Sequence, residues 1–285
     1  MPTAHPPMRW ILTLIMLLQL AACTRPPGPR GSVEELFPQP ATRPELTTVR
    51  LDGMDIAVAR GHGKGTTPIL FVHGSPGSWT SWAHYLDNPA LDGFGARIAM
   101  DRPGFGASAA AGVMLDLRRQ AALLAELIPP GPPAVLVGHS LGGPLIAWMA
   151  IDHPEKVCGA VMLAGSMAPE LEGPRWYNLL ANNWIAHRLL APAMSRSNRE
   201  MMVLQAELQK LDAALPQLQR PIIAMQGDKD PLVDPRTADY LDRRAPQRWL
   251  QVDRLLGRDH FFLWTEPRSV VQQILKLNCA APRPS

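Results

Sequence analysis

"VLVGHSLGG", residues 135–143, constrains this chain more tightly than any other stretch. A continuous Val/Leu run of this kind marks a strand buried on both faces of a sheet. It stops on a histidine and a serine set among glycines, and Leu141–Ile151 then continues with helical spacing. A buried strand, a sharp turn and a helix are therefore expected in direct succession. Gly138 and Gly142 suit a turn whose neighbouring backbones leave no room for side chains, and Pro144 falls in the first helical turn, where a missing N–H costs little. Gly138-His139-Ser140-Leu141-Gly142 is thus a G-x-S-x-G pattern in the context that presents a nucleophilic serine.

The rest of the chain repeats the strand-then-helix theme. Asp52-Gly53, between Thr47–Leu51 and Met54–Arg60, predicts a hairpin. Short apolar runs follow at Pro68–Val72, Ala96–Met100, Ala134–Val137, Val157–Ala164, Pro221–Met225 and Arg248–Val252, with a helical pattern at Leu115–Ile128. This alternation predicts an α/β sandwich, a mostly parallel sheet with helices on both faces, built from residues 46–165 and 220–279. Residues 166–219 break it. They hold no strand-like run, only helix candidates at Trp176–Leu190 and Glu200–Leu215, and are too long for a plain crossover. A helical lid is expected there, with Trp176, Trp184 and Met202 as candidates to line an apolar pocket. Packing within the lid would explain the same three residues.

Before Glu45 the composition changes. Arg9 precedes an apolar stretch of about 13 residues ending at Ala22, shorter than the roughly 20 that span a bilayer and typical of a secretory signal. Residues 1–22 are expected to be that signal. Leu20-Ala21-Ala22-Cys23 resembles the lipobox of bacterial lipoproteins, which implies lipidation at Cys23 and a membrane-anchored, exported protein facing the periplasm or the cell exterior. Thr24 resembles outer-membrane sorting more than inner-membrane retention. Residues 23–45, with six prolines from 24 onward and no apolar periodicity, read as an extended tether, and residues 280–285 as a tail. Cys158 and Cys279 could pair in an exported protein or remain buried free thiols.

Composition excludes some chemistries. Net charge is +3 and no basic run exceeds two residues, which argues against nucleic acid as a partner. No C-x-x-C or H-E-x-x-H occurs, so no metal site is expected. Gly104-x-Gly106-x-x-Ala109 matches a dinucleotide fingerprint, but no helix opens on its glycines and no second strand carries an acid, so no cofactor is expected either.

A serine needs a base that is itself oriented by an acid. In this layout the chain order is serine, acid, histidine, which leaves His260 as the base. "QGDKDPLV" offers Asp228 and Asp230 and, just beyond it, Asp234 as acids; Asp259, beside the histidine, reads as a loop carboxylate. "FVHGSPGS" supplies a tight turn in which the Ser75 N–H, with that of Leu141, could hold a developing oxyanion, His73 bracing the turn.

In this order "HGSPG", "DRPGFGAS", "GHSLGG", "GDKDPLV" and "DHFFLWTEP" resemble the α/β-hydrolase fold superfamily, in its lid-bearing esterase and epoxide-hydrolase-like branch, over about residues 45–277. The resemblance implies Asp230 as the acid, through its G-x-x-D spacing from Gly227, with Asp228 the alternative. It implies structural roles for Asp101 and Arg102. Epoxide hydrolases and haloalkane dehalogenases of this kind carry aspartate where this chain has Ser140. The expectation is therefore a serine hydrolase of the carboxylesterase or lipase type, acting on a small ester-like substrate. A C–C bond hydrolase or cofactor-free perhydrolase with the same triad, and an idle binding lipoprotein, remain alternatives.

Overall fold

A computed structural model of the chain describes residues 28–277 and Cys279. The expected signal, the lipidation site Cys23, the first residues of the tether and the tail 280–285 lie outside the described residues. No helix among the described residues is long and apolar enough to cross a membrane.

Eight strands form one sheet: β1 Glu45–Leu51, β2 Met54–Gly61, β3 Ile69–Val72, β4 Arg97–Met100, β5 Ala134–His139, β6 Val157–Leu163, β7 Ile222–Gly227 and β8 Leu250–Leu255, in the order β1-β2-β4-β3-β5-β6-β7-β8. The β1–β2 hairpin turns at Asp52-Gly53, both at positive φ (43° and 77°), and β2 pairs antiparallel with β4; every later pair is parallel. Helices α1 Leu117–Ala125, α2 Gly142–Asp152, α3 Trp176–Ala181, α4 Trp184–Leu189, α5 Pro192–Ala214, α6 Thr237–Arg244 and α7 Pro267–Lys276 complete the architecture.

The central strands alternate their side chains between two buried layers. Leu70, Val72, Leu136, Ala160, Met162 and Ala224 join α1, α2 and α5 on one face. Ile69, Phe71, Val135, Val137, Val161 and Met225 join α7 and the helical turns around Trp82 on the other. A continuous apolar run is what a strand covered on both sides requires. Helix α2 is apolar all round because it lies sandwiched; only Ile151 and Asp152 escape full burial.

Four expectations change. Residues 28–45 are not a free tether: Ser32 caps the helical turn Val33–Leu36, and Phe37, fully buried, stacks on Trp79 with ring centroids 6.4 Å apart. One aromatic ring buries enough area to fasten such a segment, and a lone ring leaves no periodic signal. Strand β8 begins two residues later than expected and is only partly covered, because it closes the edge of the sheet. The expected helix Trp176–Leu190 is two helices, α3 and α4, divided at Asn182-Asn183, whose side chains compete for backbone hydrogen bonds.

Between β6 and β7 the chain is entirely helical or irregular, and α5 starts eight residues before the expected Glu200, with Pro192 at its first turn. A Cys158–Cys279 disulfide, 121 residues apart in sequence, ties the start of β6 to the segment after α7. Replacing both cysteines by alanine should lower unfolding free energy by about 2–5 kcal/mol, measured by denaturant titration. Reductant should shift the native midpoint the same way and leave the double variant unmoved.

Candidate active site

The C-terminal ends of the parallel strands carry the expected catalytic and oxyanion residues: Ser75 after β3, Ser140 and Leu141 after β5, Asp230 after β7 and His260 after β8. In open α/β sheets ligands bind at this edge.

Ser140 sits at φ 53°, a left-handed conformation that a non-glycine residue adopts only when its surroundings impose it. Here its N–H donates to the Leu163 carbonyl at 2.9 Å and its carbonyl accepts from Gly143 at 2.8 Å. A Cβ on Gly142 would stand 2.2 Å from the Val72 carbonyl oxygen, and one on Gly138 2.4 Å from that of Gly142. Backbone on both sides thus presses the turn closed. The serine is held out from it, at the N-terminal end of α2.

His260 Nδ1 donates to Asp230 Oδ2 at 2.8 Å, and both side chains are buried. Asp230 is itself held: its Oδ1 accepts from the Leu232 and Val233 N–H groups at 2.8 and 2.9 Å, and Gln226 Nε2 donates to Oδ2 at 3.2 Å. Asp228 instead accepts from the Gly257 N–H at 2.6 Å on the surface, and Asp259 from the Phe261 N–H at 2.8 Å. Of these carboxylates, Asp230 is the one the structure brings to His260. The Ser140 hydroxyl makes no hydrogen bond among the described residues; contacts of this kind often tighten only when substrate is bound.

His139 has a role that sequence reasoning missed. Its Nε2 lies 3.0 Å from the His260 carbonyl, and its ring lies 4.6 Å from the His260 ring and 5.7 Å from Trp264. Burial, and then the neighbouring His260, hold its pKa well below the ordinary histidine range, so a neutral ring donates Nε2–H to that carbonyl. The sharp turn at Ser140, the elbow, and the histidine loop are joined by this bond. The only signal was the identity of the residue before Ser140.

The loop after β3 is bound to the helical insertion. Arg102, fully buried, donates to the His73 and Gly74 carbonyls at 3.0 and 2.9 Å and to Gln120 Oε1 at 2.8 Å. Its charge is met by Glu200 of α5 at 2.7 Å, a carboxylate equally buried. The Ser75 hydroxyl donates to the same Glu200, and lies 2.9 Å from that of Ser197. His73 Nε2 accepts from the Arg102 N–H at 3.0 Å while Nδ1 donates to Gly74, which fixes the neutral tautomer. Burial, then Arg102, keeps its pKa low. Neither the Ser75 nor the Leu141 backbone N–H has an acceptor among the described residues. Trp176 and Trp184, the expected candidates to line an apolar pocket, are 72% and 69% exposed, while Met202 is half-buried.

Two variants probe these contacts. Glu200→Gln leaves the Arg102 charge buried without its counterion and should cost on the order of 3–5 kcal/mol in chemical denaturation. Glu172, in the insertion, has its pKa pushed up to about 7 by burial, against the opposing pull of Ser166. Its folded form binds the proton more tightly than the unfolded chain, so stability is intact below pH 4.5 and falls as pH rises to about 7. Glu172→Gln should match the native protein at pH 4 and exceed it by up to about 3 kcal/mol at pH 8, read from paired thermal melts.

The alpha/beta hydrolase family model matches residues 69–273. Over 116 residues the chain is 32% identical to the dihydrolipoyllysine-residue acetyltransferase component of the acetoin cleaving system of Cupriavidus necator, covering 40% of this chain and 30% of that one. Over 99 residues it is 33% identical to epoxide hydrolase B of Mycobacterium tuberculosis, covering 33% and 27%. The matches span about a third of the length of these relatives. The structure of a membrane phospholipase A, described as a bacterial virulence factor, superposes with a TM-score of 0.64 at 18% identity, covering 95% of this chain and 97% of that one. With the matched span running from β3 into α7 and the same fold in that structure, the chain belongs to the alpha/beta hydrolase family.

Proposed function

We propose that the protein is a serine hydrolase that cleaves a carboxylic ester or similar acyl bond through an acyl-enzyme. One observation carries the reading: a buried Asp230–His260 pair at 2.8 Å on the strand edge that also presents Ser140 from a strained turn. Ser140 Oγ attacks the acyl carbon and its proton passes to His260 Nε2. Asp230 holds the Nδ1–H tautomer and balances the imidazolium charge. The oxyanion accepts from the Ser75 and Leu141 N–H groups, both without other acceptors among the described residues. His260 then protonates the departing alcohol, and water, deprotonated by His260, releases the acid.

The relative named an epoxide hydrolase favours another bond, but Ser140 stands where that chemistry, in enzymes this chain resembles, uses a carboxylate. The neighbour named a membrane phospholipase A favours an ester. The insertion between β6 and β7 acts, in this reading, as a lid over the strand edge, bound to the oxyanion loop through Glu200. Anchoring at Cys23 is part of the same proposal. Its support is the lipobox-like sequence together with the Cys158–Cys279 disulfide, a bond that persists in oxidising compartments outside the cytosol.

Hydrolysis of short p-nitrophenyl esters, with labelling by a fluorophosphonate probe, tests the assignment. Ser140→Ala should abolish both. Asp230→Asn should lower turnover on the order of 10⁴-fold, and Asp228→Asn by about tenfold or less, with all three proteins folded by circular dichroism. Equal losses for the two aspartates would move the acid; full activity of Ser140→Ala would overturn the reading.

A further inference from the structure

Among the described residues, exposed large apolar side chains concentrate on the insertion. Trp176, Leu179, Leu180, Trp184, Leu189 and Met194 are all exposed, within 19 residues of α3, α4 and the start of α5. Scattered exposed hydrophobics are ordinary, whereas such a concentration marks a surface awaiting a partner. The two six-residue helices are too short to persist on intrinsic propensity. Helix α3 is held from beneath by Asn178, which exchanges hydrogen bonds with Asn198 of α5 at 2.9 and 3.1 Å. Its tryptophan and leucines are thereby turned outward instead of packing on the sheet.

Charge identifies the partner. From Gly173 to Arg199 the chain has no aspartate or glutamate, but it has Arg175, Arg188, Arg196 and Arg199. None of the four forms an ion pair with a carboxylate among the described residues. Arg175, at the margin beside Asp234, donates to the Pro231 and Leu232 carbonyls, and the Arg188 guanidinium lies over the Trp184 ring at 5.6 Å. Exposed tryptophan and leucine with interspersed arginine is the composition of a helix lying in the interface of an anionic bilayer. There the rings enter the headgroup layer and each cation gains from the surface potential.

We infer that the outer face of α3, α4 and the first two turns of α5 docks on an anionic lipid surface. This holds the strand edge carrying Ser140 towards the bilayer. The contact is separate from any lipid at Cys23, and the experiment keeps the two apart by reading a local signal.

Full-length protein carrying Cys23→Ser and Leu180→Cys, labelled at 180 with an environment-sensitive fluorophore, is mixed with phosphatidylcholine vesicles, with and without phosphatidylglycerol. Cys158 and Cys279, being paired, do not label. Glu126→Cys, exposed before β5 at the opposite end of the strands, is the control site. Docking predicts a blue shift at 180 on phosphatidylglycerol vesicles, little shift on phosphatidylcholine alone and none at 126. Arg188→Gln and Arg199→Gln should each reduce the vesicle partition constant roughly fivefold, and Trp176→Ala/Trp184→Ala should remove the shift. Co-sedimentation with vesicles and no shift at 180 would overturn the inference, as would equal shifts at both sites. A shift without vesicles that grows with protein concentration would show a second copy covering the face, and would overturn it too.

Discussion

The charge of Arg102 is removed from water, and the site is assembled around its neutralisation. Moving a guanidinium into the interior costs several kcal/mol unless it is paired and its donors are satisfied. Three parts of the chain meet that demand together: the loop after β3 through the His73 and Gly74 carbonyls, α1 through Gln120, and the insertion through Glu200. The insertion therefore cannot lift away from the strand edge without exposing or stranding a charge. Because Glu200 also takes the Ser75 hydroxyl, the position of the insertion and the conformation of the proposed oxyanion loop are one variable.

The same logic of enforced closeness governs the elbow. Ser140 occupies an unfavourable backbone region because Gly138 and Gly142 allow β5, β3 and α2 to approach more closely than side chains would permit. The histidine loop is brought in by a different device, the bond from His139 to the His260 carbonyl, while Asp230 is pinned by two backbone donors of its own turn. Each group is thus positioned by backbone contacts, which is the kind of preorganisation that acyl transfer rewards.

On the opposite side of the insertion the physical problem is reversed. Asn178 and Asn198 occupy the inner contact of α3, and the large apolar side chains are left outside. A segment that reads in sequence as an apolar lid lining is, in three dimensions, apolar towards solvent. The proposed lipid contact would convert this cost into a docking surface.

Local order was legible in the sequence because it depends on neighbours a few residues apart. The Asp52-Gly53 hairpin, the doubly buried strands, the G-x-S-x-G turn and the helical character of residues 166–219 all follow from turn chemistry and apolar spacing. So did the narrowing of the acid to a few aspartates. Tertiary structure alone decided contacts between residues far apart in sequence: Arg102 with Glu200, His139 with His260, Cys158 with Cys279, and Phe37 against Trp79. Which face of α3 turns outward belongs with them. A lone buried ring or a single ion pair has no period, so sequence carries the residue but not its partner. The partner is set by how eight strands and their helices close-pack, and that is a property of the whole fold.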